Sequence, residues 1–196
     1  MEKDHLYSID AFNSRAPDKQ ITHKEPLILT SPRLRLINAT PATLEKILAG
    51  DEALARHLGI SIADPWSEFG HAPFEYVLKH IRDTPEESIW WSWLPVLKEE
   101  NRLVGNCGYK GPPKEGVVEI GYEVARDYRN IGLATEIAQT LIHHAFSYPD
   151  VTTILAHTLA EENASVRILK KCGFAFEGIV EDPEDGTIWK WSLQKV

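Results

Sequence analysis

The sequence predicts an α+β domain: a twisted, mostly antiparallel mixed sheet with one splayed parallel strand pair and flanking helices. Three observations carry this. Between Ser88 and Ala125, three apolar or alternating runs are joined only by Glu99-Glu100-Asn101 and Gly111 to Gly116, which makes consecutive antiparallel strands. From Glu119 to Phe146 the chain reads strand, glycine-containing turn, amphipathic helix. Thr152 to Leu159 then returns as a β-branched, apolar strand, and a helical crossover brings a strand back in the same direction. The strands on either side of the long helix are therefore expected to be parallel neighbours. Where such a pair separates, a ligand can enter.

Taken in order, residues 1–24 mix both charge signs with few large apolar side chains. They read as a partly flexible extension ahead of a single domain over 25–196. Leu27-Ile28-Leu29 and Leu34-Arg35-Leu36-Ile37 are strand-like, with a bend at Ser31-Pro32. Thr40-Pro41 is a helix start, with a threonine cap and proline at the first helical position. That helix is expected to reach Ala49, with a short second one over Glu52 to Leu58. Phe74, Val77, Leu78 and Ile81 make the stripe of a further helix over Pro73 to Arg82. Ile89 to Leu97 reads as a strand, Arg102 to Lys110 as its hairpin partner, and Val117 to Ala125 as the third member. The long helix shows one apolar face, from Leu133 through Ile137 and Leu141 to Ala145, and ends at Tyr148-Pro149. A helix over Ala164 to Cys172 stops at Gly173, and Phe174 to Val180 with Thr187 to Leu193 forms a closing hairpin.

Bulk properties narrow the function. At 196 residues, 43% hydrophobic and 26% charged, the chain suits one globular domain. A net charge of −8 argues against nucleic-acid binding, which needs a basic face, and suits a small-molecule enzyme or a cationic substrate. The first twenty residues lack the apolar core of a secretory signal. The most apolar run, Ile89 to Leu97, is short and contains Pro95, so it does not span a membrane. Cys107 and Cys172 read as buried free thiols in a reducing compartment. The expectation is a cytoplasmic protein, a monomer or homodimer.

The most informative stretch is Arg129-Asn130-Ile131-Gly132-Leu133-Ala134 between the strand and the long helix. Free backbone N–H groups and the helix dipole meet there, which suits an anion, phosphate above all. Taken alone, the alternative for Gly132 is an ordinary turn glycine. Further along stand Asn163-Ala164-Ser165 and Leu169-Lys170-Lys171-Cys172-Gly173-Phe174, and upstream Glu119-Ile120-Gly121-Tyr122. Together with Leu34-Arg35-Leu36, these blocks resemble, in order and spacing, the GNAT N-acetyltransferase superfamily, and within it the RimJ/RimL-like branch. The likeness spans about Leu27 to Leu193.

That resemblance implies a GNAT fold and an acetyl-CoA-dependent transfer of acetyl to a primary amine, without a metal. It implies a pyrophosphate site at Arg129, Asn130, Ile131, Gly132, Leu133, Ala134 and Thr135. The end of the preceding strand, Tyr122, Glu123 and Val124, would hold the pantetheine and polarise the thioester carbonyl. Two departures stand out. The family's asparagine falls one place later, at Asn163, with Glu162 in its usual position. The family's usual tyrosine proton donor has no counterpart between Ile168 and Lys171, and Ser165 is the residue suggested for that role.

Removing a proton from the amine is the demanding step. An alkylamine with a pKa of about 10.4 costs about 4.6 kcal/mol to deprotonate at neutral pH, a terminal α-amine near 8 only about 1.4 kcal/mol. Glu119 and Glu123 share one side of an unbroken strand and are the candidate bases. Glu119 ranks first because it aligns with the strand glutamate of histone-acetylating relatives; a solvated or ion-paired role is the alternative for both. The acceptor is either a protein N-terminus or a small amine. A module that binds CoA without turnover is the competing reading. His143 falls off the apolar stripe and has no metal-binding partners at suitable spacing, and Cys107 lacks a nearby histidine to act as an acyl carrier. Trp90, Trp91 and Trp93 alternate sides, so one face is expected in the core and the other could line an acceptor pocket.

Overall fold

The computed structural model describes residues 26–183 and 186–196. The extension expected over 1–24 lies outside the described residues. The chain opens with β1 (Ile28–Thr30), β2 (Leu34–Asn38), α1 (Pro41–Leu48), α2 (Asp51–Leu58), β3 (Ser61–Ile62) and α3 (Ala72–Ile81). It continues through β4 (Ser92–Leu97), β5 (Arg102–Leu103), β6 (Gly105–Tyr109) and β7 (Val117–Val124). Then come α4 (Leu133–Ser147), β8 (Thr153–Leu159), α5 (Ala164–Lys171), β9 (Ala175–Asp182) and β10 (Gly186–Gln194). The α1 start is as its sequence predicts: Thr40 accepts a hydrogen bond from the Thr43 N–H, and Pro41 needs no donor.

The main sheet runs β1-β2-β4-β6-β7-β8-β10-β9 and is antiparallel except at β7–β8, with a small β3–β5 parallel pair at its margin. The β7–β8 ladder joins Val117 to Thr153, Val118 to Ile154 and Glu119 to Leu155, and then stops. Both strands continue beyond it, to Val124 and Leu159, so they splay. Alternation along β7 assigns its two faces. Val118, Ile120 and Val124 pack with Leu133, Ile137 and Leu141 of α4, while Glu119, Gly121 and Glu123 lie on the other face. A second core, with Ile37, Leu44, Phe74, Val77 and Ile81, holds α1 and α3 against that opposite face.

Two strand expectations need correction. The run from Ile89 does not start as a strand: Pro85–Trp90 is a 3₁₀ turn, and β4 begins only at Ser92. Asn38 decides this. Its side-chain amide donates to the Ser88 carbonyl and its side-chain oxygen accepts from the Ser88 hydroxyl, both at 2.8 Å, which holds the turn against the β propensity of its aromatics. All three tryptophans are consequently buried; Trp90 and Trp93 enter the α4 core and Trp91 the other. The second correction is a break at Val104, between β5 and β6, opposite Pro95. Pro95 has no N–H to extend the ladder, and Val104 donates to the Pro95 carbonyl instead.

Candidate active site

The turn into α4 is built by left-handed backbone. Asn130 (φ 64°) and Gly132 (φ 85°) reverse the chain, a conformation open to glycine and tolerated by asparagine. No side chain among the described residues caps the helix, so its first N–H groups are without a side-chain acceptor there. A side chain from the first hairpin braces this turn. Arg33 donates to the Ile131 carbonyl at 2.8 Å and, through Nε, to Glu136 at 2.7 Å; the Arg33 N–H and the Ser31 hydroxyl reach the other Glu136 oxygen, each at 2.7 Å. Burial raises the Glu136 carboxyl, but these hydrogen bonds outweigh it and hold the group below its ordinary value. It stays charged.

Where β7 and β8 part, the structure opens a cleft of about 600 Å³. Of the residues predicted from sequence, Tyr122, Glu123 and Val124 line one wall, Arg129, Asn130, Gly132, Leu133, Ala134 and Thr135 the base, and Ser165 the opposite wall. These come from β7, the turn with α4, and α5, which approach one another only because β8 has left β7. Three predicted residues do not line the cleft. Ile131 is 54% exposed and contributes its carbonyl to Arg33. Asn163 caps α5, its side-chain oxygen accepting from the Val166 N–H at 3.0 Å, so its side chain is engaged in the helix rather than offered to a ligand. Glu119 sits on the far face of β7, where one carboxylate oxygen meets Lys110 Nζ at 2.5 Å and His157 Nδ1 at 2.9 Å.

The cleft also contains residues that the sequence reading missed. Arg167 and Lys171 line it from α5, and their i,i+4 spacing could have placed them on one helix face. Glu68 and Phe69 arrive from the segment before α3, and no local pattern announces them. Glu123 fastens that segment, accepting from the Ser67 hydroxyl at 2.7 Å and the Glu68 N–H at 3.0 Å. Glu68 in turn meets Arg129 at 2.8 Å, while Arg129 Nε donates to the Val124 carbonyl. The signature arginine is thus held by a carboxylate from more than sixty positions earlier.

Other sequence candidates lie elsewhere. Cys107 is buried, its thiol pushed well up by burial, which suits packing and not nucleophilic chemistry. Both cysteines are free thiols. His143 is exposed on α4; its neighbour His144 is buried between Tyr109 and Tyr148. Among the described residues no cluster of histidine, cysteine and carboxylate side chains could hold a metal ion, and no helix is long and apolar enough to cross a membrane.

The chain matches the acetyltransferase (GNAT) domain family over residues 33–175. It is 30% identical over 151 residues to YjdG of Bacillus subtilis strain 168, named an uncharacterized N-acetyltransferase, covering 76% of this chain and 89% of that protein. Among solved structures, a ribosomal-protein-S5-alanine acetyltransferase from Vibrio fischeri superposes with a TM-score of 0.64 at 16% identity, covering 86% of this chain and 96% of that one. RimL, a ribosomal L7/L12 α-N-protein acetyltransferase solved with coenzyme A, superposes with a TM-score of 0.59 at 17% identity, covering 85% and 97%. Strand order, splayed parallel pair and sequence match agree, and the chain belongs to the GNAT acetyltransferase family.

Proposed function

We propose that the protein transfers the acetyl group of acetyl-CoA to a primary amine, by direct attack within a ternary complex. The observation that carries this reading is the cleft itself: a splayed strand pair that ends on an uncapped helix start. The N–H groups from Asn130 to Thr135 suit a pyrophosphate, and Arg167 and Lys171 add positive charge on the opposite wall. A RimL structure with coenzyme A shows that a chain of this fold accommodates that ligand. Along β7, the backbone of Tyr122 to Val124 has no β8 partner and, apart from the Val124 carbonyl that Arg129 holds, is available to a pantetheine and a thioester carbonyl. Ser165, half-buried on the far wall, is the hydrogen-bond donor for the departing sulfur.

The amine enters from the face opposite α4. There Gly121 pairs with Gly108 across β6–β7, and beside Gly121 there is open space where a side chain would stand. Glu119 and Glu123 flank this bare patch along the strand. Glu119 acts as base through water, since it lies outside the cleft and already holds Lys110 and His157. A base so engaged favours an acceptor that needs little help, so a terminal α-amine fits better than a lysine-like amine.

The test follows thiol release from acetyl-CoA with a panel of peptides bearing free N-termini and of small amines. We expect turnover with α-amines. Tight coenzyme A binding without thiol release from any acceptor would replace this reading with a binding module. Unchanged turnover in Glu119→Gln would remove Glu119 as the base.

A further inference from the structure

Tyr122 stands where β7 leaves β8, with its ring packed into the α4 core. Its hydroxyl oxygen is shut off from solvent and makes no hydrogen bond among the described residues. Native cores seldom keep such an orphan, because a phenylalanine would fill the same space without stranding a polar atom. Ser165 lines the same cleft, and its hydroxyl is near enough to act on the phenol although the two make no hydrogen bond of good geometry. Burial pushes the phenol well up, the nearby Cys172 adds to this, and the Ser165 hydroxyl pulls the other way without cancelling it. Tyr122 therefore keeps its proton throughout the working range and has it available to donate.

We propose that Tyr122 is a positioning residue that acts through Ser165. When the cleft is filled, the Tyr122 hydroxyl donates to Ser165 Oγ. A hydroxyl that accepts on one side has its own hydrogen directed to the other, here into the cleft towards the sulfur that leaves the acetyl group. The inference rests on the acetyl-transfer reading above. In that reaction the amine nitrogen bonds to the acetyl carbon, the carbon–sulfur bond breaks, and its electron pair stays on sulfur. The proton that sulfur finally takes is the one the amine sheds. Tyr122 loses none; it holds the serine oxygen so that the negative charge on sulfur meets a donor.

A thiolate stabilised this way lowers the pKa of bound coenzyme A, which can be read without knowing the acceptor. The measurement is a pH titration of thiolate ultraviolet absorbance for the protein saturated with coenzyme A, with desulfo-coenzyme A as the blank. Tyr122→Phe should raise the bound thiol pKa by about one unit, a tenfold weaker acid. Ser165→Ala should raise it equally, and the double variant no further. Tyr122→Phe should also melt about 2–4 °C higher, since it deletes an unpaired buried hydroxyl, and bind coenzyme A with a Kd within twofold. A bound thiol pKa that moves in Ser165→Ala but not in Tyr122→Phe overturns the proposal. So does an additive double variant, or a Tyr122→Phe that weakens binding, since either would make Tyr122 a packing residue. If Ser165→Ala leaves the thiol unmoved, Tyr122 has no serine to act through, and the proposal is overturned together with the role of Ser165. If coenzyme A does not bind at all, the acetyl-transfer reading itself fails.

Discussion

Asn163 and Gly132 show how single residues near the cleft can be told apart by experiment. Asn163 spends its side-chain oxygen on the Val166 N–H, so Asn163→Ala should cost about 1 kcal/mol of unfolding free energy and leave coenzyme A affinity within twofold. Denaturant unfolding beside calorimetric titration reads both. Gly132 is different. At φ 85° alanine is strained by the left-handed backbone, while Arg33 Nη2, 3.4 Å from where a Cβ would stand, leaves it ordinary contact distance. Gly132→Ala should destabilise by about 1–2 kcal/mol and weaken coenzyme A by about tenfold, because the N–H groups of the turn lose their aim. Retained affinity in that variant would mean that the phosphates sit elsewhere.

At the scale of elements, the segment before α3 closes on the cleft through Glu123, Ser67 and the Glu68–Arg129 pair. Arg129 is half-exposed, so the pair contributes little to stability, but its carboxylate occupies the arginine nearest the anion turn. On the proposed function, an arriving phosphate competes with Glu68 for that guanidinium. Glu68→Gln should therefore tighten coenzyme A binding by about two- to fivefold at low salt, with the gain shrinking as salt rises. Isothermal titration at two ionic strengths decides it, and weaker binding in the variant would show that Glu68 shapes the cleft rather than competes. The brace at the other side of the turn is a separate element. Arg33 and Ser31 reach Glu136 from the β1–β2 hairpin, so the first hairpin and α4 hold the anion turn as one unit.

For the molecule as a whole, the buried centre to watch is His144, 2% exposed beneath Trp90 and Trp93. Burial, and to a lesser degree the charge of His143, lowers its pKa from 6.5 to about 4. Tyr109 meets its Nδ1 at 2.8 Å and donates its own proton to the Leu141 carbonyl, so the neutral ring is held with its proton on Nδ1. The folded state thus binds this proton less readily than the unfolded one. The stability it contributes is complete above pH 6.5 and is lost as pH falls through about 4, a total of about 3 kcal/mol. His144→Phe should flatten the fall of unfolding free energy between those limits relative to the unaltered protein, although it also removes the Tyr109 bond. An identical slope in both proteins would show that other groups govern acid unfolding.

Local patterns in the chain were enough for its periodic elements. The Thr40-Pro41 start, the α4 stripe, the stop at Gly173 (φ 88°) and the parallel return of β8 each follow from backbone chemistry within a few residues or from crossover handedness. The same holds for the left-handed turn into α4, whose residues are contiguous. Neither the 3₁₀ turn at Pro85–Trp90 nor the break at Val104 was legible, because Asn38 and Pro95, which impose them, stand on other strands. Glu119 was readable as a strand glutamate, but its pairing with Lys110 and His157 needs β6 and β8 alongside. By itself, then, the sequence determined the left-handed turn and the uncapped helix start on which the proposed anion site rests, since both are built from consecutive backbone groups. Only the tertiary structure decided what guards and tunes it: the Glu68 carboxylate on Arg129, Arg167 and Lys171 on the far wall, and the orphan Tyr122 hydroxyl beside Ser165. Side-chain charges and hydroxyls act through space, and the fold brings together groups that lie far apart along the chain.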